Sequence, residues 1–86
     1  MANVEEVKVN VAATVDGARQ AVGGIRAVSD QLDEALARMR MTAVGSFHPA
    51  AAAAIAHLEQ ARTRLDEAVQ LTHAAIDSAD QYRNVI

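Results

Sequence analysis

Val4, Val7, Val11, Val15, Ala18, Val22, Ile25, Val28, Leu32, Leu36 and Met39 form an apolar stripe in which ten steps cover 35 residues. A mean step of 3.5 residues belongs to a helix that buries one narrow line of side chains, in the manner of a coiled coil. A strand would alternate every second residue, and no strand pattern interrupts the stripe. The phase also holds through Gly23 and Gly24, where a loop would reset it. The first half of the chain therefore reads as one helix over about 4–42, roughly 58 Å long at 1.5 Å per residue. The glycine pair costs that helix about 1–2 kcal/mol and is a place for a bend. A break there, with Ser29 or Asp30 capping a new helix, is the alternative reading.

The segment SFHP separates this helix from a second one over about 49–84, leaving a turn at about 43–48. Pro49 suits a first helical turn, and Ser46 is the expected N-cap. Ile55, Leu58, Leu65, Val69, Ile76 and Ile86 continue the helical period. Phe47, Ala54, Ala61, Ala68, Ala75 and Tyr82 fall seven apart throughout, with a parallel row at Ala51, Leu58, Leu65, Thr72, Ala79 and Ile86. The first helix carries its own small row, Thr14, Gly17, Ala21, Gly24, Val28 and Gln31. Small facing small predicts a close helix–helix seam, with Phe47 and Tyr82 covering its two ends.

Charges give the direction of packing. If the chain folds back near residue 47, facing residue numbers sum to about 94. Arg38 then lies near Glu59; Asp30, Asp33 and Glu34 near Arg62 and Arg64; Arg26 near Asp66 and Glu67; and Arg19 near Asp77, so opposite signs meet at each level. Single exposed pairs contribute only about 0.2–1 kcal/mol, but a consistent set fixes direction and register. The expected fold class is all-α, an antiparallel two-helix hairpin. Twenty of the 86 residues are alanine and about two dozen are large and apolar, little for a core. A domain of this size is marginal alone, so dimerisation into a four-helix bundle is expected.

Little in the chain points to chemistry. A net charge of −3 without a basic cluster argues against nucleic acid. No cysteine means no disulfide or thiolate site, and no run of eighteen apolar residues means no membrane insertion. The start MANVEEVKVN lacks the pattern of a secretory signal, which leaves the cytoplasm or a signal-peptide-independent route out of it. His48, His57 and His73 lack the i, i+4 spacing of a helical metal pair, so neither metal nor cofactor is expected. IRAVSDQLDEALARMR loosely resembles the first helix of the all-helical chorismate mutases, through Arg26, Asp30, Asp33 and Arg38. Those enzymes converge several cations on a dicarboxylate, whereas the single lysine here is Lys8. A small enzyme of that kind, and a cytoplasmic structural or regulatory bundle, are the alternatives to the reading that follows; no catalytic residue is assigned.

Two helices of nearly equal length, joined at mid-chain by a short turn with an aromatic, resemble the WxG helical hairpins of type VII secretion in Gram-positive bacteria. Phe47 stands at the position of that family's Trp and Pro49 at that of its Gly. Tyr82 lies near the tail, where many members carry a Tyr followed four residues on by an acid; here Ile86 holds that place. The resemblance implies a non-enzymatic exported factor, or a targeting partner or chaperone for a larger toxin or effector. Its partner would be itself or a second helical hairpin. Phe47, Ile55, Leu58, Leu65, Val69, Ile76 and Tyr82 are the partner-binding residues this implies.

Overall fold

A computed structural model describes residues 3–86 as two long helices, α1 (Val4–Thr42) and α2 (Pro49–Val85), packed against each other as an antiparallel hairpin. The hairpin is a rod of 64 × 19 × 15 Å. Its radius of gyration is 19.4 Å, against about 12 Å for a compact domain of this length. Helix α1 runs unbroken through Gly23 and Gly24. It starts where the Asn3 side chain accepts the Glu6 amide at 2.8 Å, with Glu5 and Glu6 at the positive end of the helix dipole.

The reversal is built from local hydrogen bonds. The Ala43 amide donates to the Met39 carbonyl at 2.8 Å and closes α1, and the Ser46 amide donates back to the Ala43 carbonyl at 2.9 Å. Gly45 takes φ 78°, a left-handed conformation that costs a side-chain-bearing residue about 1–2 kcal/mol. The N-cap of α2 is His48 rather than the expected Ser46. Its Nδ1 accepts the Ala50 amide at 3.1 Å. Pro49 decides this: with proline as the first helical residue, the cap must be its extended predecessor. The Ser46 hydroxyl instead accepts the His48 amide at 3.3 Å.

The helices meet along one seam with strict alternation of four- and three-residue steps. On α1 it runs Val11, Val15, Ala18, Val22, Ile25, Ser29, Leu32, Leu36, Met39, Ala43. On α2 it runs Ala51, Ile55, Leu58, Arg62, Leu65, Val69, Thr72, Ile76, Ala79, Arg83, Ile86. Every one of these residues is buried or half-buried, the knobs-into-holes pattern of an antiparallel pair. Among the described residues the buried apolar ones are Val15, Val22, Leu36 and Ile76, so the core is a line rather than a volume.

Two sequence expectations about this seam are corrected. Val28 is 45% exposed, and its neighbour Ser29, 5% exposed, holds the seam position. After Ile25 the heptad takes its four-residue step, which carries the line past the more apolar residue. The small row of α1 does not face α2 either: Thr14, Gly17, Ala21, Gly24, Val28 and Gln31 are all exposed. A methyl group added at Gly17, Gly23 or Gly24 would meet nothing within 4 Å. In the alanine row of α2, Ala61 and Ala75 are exposed, and Ala54 and Ala68 lie at the seam's edge. The seam is the adjacent row through Leu58 and Leu65, because the larger side chains gain more from burial.

With no neighbour to clash, Gly23→Ala removes the helix penalty of glycine at no packing cost. It should stabilise the hairpin by about 1 kcal/mol, read as a higher melting temperature by circular dichroism.

Candidate interaction surface

The seam divides the hairpin into two unlike long faces. On one flank, α1 presents Arg19, Arg26, Asp33 and Arg40, seven apart, and α2 presents Glu59, Asp66, His73 and Asp80. Arg40 bonds Glu59 at 2.8 Å, and Arg19 reaches Asp80 at 3.9 Å. Asp80 also accepts from Arg83 at 2.9 Å. In both cross-helix pairs the residue numbers sum to 99. Arg40 stands one residue beyond Met39 and Glu59 four beyond Ile55, so the seam layers themselves sum to the expected 94. Asp33 does pair with Arg62, as the charges suggested. Three expected pairings are corrected: Glu59 takes Arg40 instead of Arg38, Arg19 reaches Asp80 instead of Asp77, and Asp66 and Glu67 bond Arg62 and Arg64 instead of Arg26.

Arg62 brings a charge into the middle of the seam, as Arg83 does near its open end. By the rule of 99, Asp33 and Asp66 are opposed, two like charges. Arg62 lies between them, donating from Nε to Asp33 at 2.9 Å and from a terminal nitrogen to Asp66. These hydrogen bonds, Asp66 first and Asp33 second, raise its pKa above the ordinary guanidinium value. A raised pKa on a cation means that its contribution is complete below the ordinary value and is lost only in stronger alkali, so neutral pH leaves it intact. Reversing the charge places three carboxylates together. Arg62→Glu should lower the melting temperature, with added salt recovering part of the loss and Asp33→Arg in the same chain restoring more.

The opposite flank carries Thr14, Ala21, Val28 and Ala35 from α1 and Ala54, Ala61, Ala68, Ala75 and Tyr82 from α2. Outside these rows lie Gly17, Gly24, Gln31 and Leu71. The ionised residues there are Arg38 and Arg64, the latter bonded to Glu67 on its own helix at 3.1 Å. Val28, Leu71 at 71% and Tyr82 at 51% exposure make this the apolar face. At the turn, Met41, Val44 and Phe47 are exposed, Phe47 by 98%, so it covers no end of the helix pair.

The residues expected to bind a partner thus separate into two groups. Ile55, Leu58, Leu65, Val69 and Ile76 line the seam and are engaged with α1. Phe47 and Tyr82 stand outside it, Phe47 almost wholly exposed and Tyr82 about half covered. Sequence reasoning missed Ser29 and Arg62 as seam residues. Strict four–three counting from Val15 and from Leu58 reaches both.

A shallow cleft on the charged flank is lined by Arg26, Ser29, Asp30, Arg62, Asp66, Val69 and Gln70. Arg62 is already committed to two carboxylates there. Arg38 lies twelve residues beyond Arg26, about 120° around α1, on the other flank. His57 and His73 are exposed, and His48 is occupied as a cap. Among the described residues no group of side chains is placed to hold a metal ion, and no helix is long and apolar enough to cross a membrane. No family model, no curated protein and no solved structure matches the chain.

Proposed function

We propose that the protein is a non-enzymatic interaction module whose partner is another helical hairpin, and that it serves type VII secretion as an exported factor or as the targeting partner of a larger effector. One observation carries the interaction reading. The hairpin exposes 6,249 Å², whereas a folded monomer of 9.1 kDa exposes about 4,900 Å². The difference exceeds the roughly 800 Å² that each partner buries in a standard protein–protein interface. That surplus includes the apolar flank and the Phe47 tip, surfaces that gain free energy when another helix covers them. The secretion assignment is supported by the near-equal helices and by the exposed aromatic at the mid-chain turn. Architecture is a general warrant, so export must be measured directly.

The test is to follow a tagged chain in Gram-positive cells with and without the type VII ATPase. The chain, or a larger effector that requires it, should reach the medium only when the ATPase is present. Equal amounts in both media, or none in either, would overturn the secretion assignment.

A further inference from the structure

We infer that His48 is a pH-operated latch on the turn: its neutral imidazole caps α2 and fixes the backbone that presents Phe47, and its protonation releases both.

The latch depends on one ring nitrogen. Nδ1 of His48 accepts the Ala50 amide at 3.1 Å, so the neutral ring carries its single proton on Nε2. A protonated imidazole is a donor at both nitrogens and can accept nothing. The capped state therefore binds one proton fewer than the open state. By linkage the cap strengthens as pH rises and is lost as pH falls through the range, about 5–8, in which imidazoles change charge. A serine, threonine or asparagine cap keeps its acceptor oxygen throughout that range.

The surroundings offer a protonated His48 nothing in exchange. Between Glu34 and Glu59 the charged or titratable side chains are Arg38, Arg40, His48 and His57, with no carboxylate among them. The first turn of α2 has no acid either, so an imidazolium there meets the positive end of the helix dipole. Glu59, the first acid along α2, is bonded to Arg40 of α1. The last turn of α1 is also occupied: the Arg38, Met39 and Met41 carbonyls accept from the Thr42 hydroxyl and the Ala43 and Val44 amides.

What the cap holds is the tip of the rod. Proline has no amide, so Ala50 supplies the first amide of α2, and the Ala51 amide is held by the His48 carbonyl at 3.1 Å. Residues Ala50 to Ala54 bury little side chain, so this turn of helix relies on its end for order. Phe47 lies between the cap and the Ser46 hydroxyl that accepts the His48 amide. Its own ring is 98% exposed, so packing does not hold it once the cap opens. Neutral solution thus presents a fixed aromatic tip, and mild acid a loose one.

Amide exchange followed by NMR on the full chain, corrected for the intrinsic pH dependence of exchange, tests the latch between about pH 8 and pH 5. Ala50 should be about fivefold less protected at the acid end, with a midpoint shared by the His48 ring signals. Val22 and Ile76, buried in the seam, should keep their protection. His48→Asn supplies a cap that does not titrate and should hold Ala50 closed at both ends of the range. His48→Ala should leave Ala50 open at both. His57→Gln with His73→Gln should leave the transition as in the native chain, since both residues lie inside α2 and cap nothing.

Unchanged protection of Ala50 across the range would overturn the latch. A transition that survives in His48→Asn would do the same. So would one that Val22 and Ile76 share, because the whole hairpin would then be opening.

Discussion

Leu36→Ala should destabilise the hairpin by about 2–5 kcal/mol, enough to leave much of the chain unfolded at 25 °C. Leu36 is 5% exposed, and its seam layer is completed by Leu58. The 86-residue chain would be expected to have about 4–13 kcal/mol in all. Its rod shape, with four buried apolar residues among those described, argues for the low end of that range. A thin core relaxes around a deletion more readily than a thick one, which moderates the cavity term but not the loss of apolar transfer. Chemical denaturation followed by circular dichroism measures the effect at fixed protein concentration. A loss below about 1 kcal/mol would mean that Leu36 is not enclosed as the seam requires. Ile76→Ala, in the layer of Ala18 five seam steps away, should add to the loss almost independently.

The second large effect has the opposite sign. Ser29 is 5% exposed at a seam position where the layer partner is Leu65, so a hydroxyl stands where the pattern calls for an aliphatic side chain. Ser29→Leu should raise stability by about 1.5–3 kcal/mol through the additional apolar burial. The open cleft beside Ser29 gives the longer side chain room without overpacking. The readout is the same denaturation curve, with the midpoint moved to higher denaturant. A lower midpoint would show that the site is too tight and that the seam is closed around serine. A natural sequence that keeps serine there has not maximised its own hairpin, which suits a chain whose folding is completed by a partner.

These two residues also mark how far the sequence was legible. Periodicity located both helices, and Pro49 located the second start, because each signal is local and chemically strong. The antiparallel direction was legible in the charges, although the pairs that form are Arg40 with Glu59, Arg19 with Asp80 and Arg62 with Asp33. What composition could not resolve was which side of each helix faces inward by one residue's width. Val28 and Ser29 differ by 100° around α1, and hydropathy favours the wrong one. Arg62 is hidden for the same reason: a cation at a seam position reads as a surface residue until Asp33 and Asp66 are seen on either side. The small rows were misread as the seam: glycines and alanines at heptad spacing allow close approach, but the larger residues beside them gain more from burial and claim α2 for the intramolecular seam.

The fixed sum of 94 has a kinetic consequence. Ala43 and Ala51 next to the turn are eight residues apart, whereas Val15 and Ala79 near the open end are 64 apart. Closing the longer loop before the shorter would cost roughly 1.9 kcal/mol more in chain entropy. The hairpin should therefore zip from Gly45 outward, one layer preparing the next, and its last layers carry Ala79 and Arg83 instead of leucine. Amide protection should accordingly fall along both helices away from the turn, with the ends near Val7 and Tyr82 exchanging first. A molecule built this way is held most firmly at its turn and least firmly where its two termini meet.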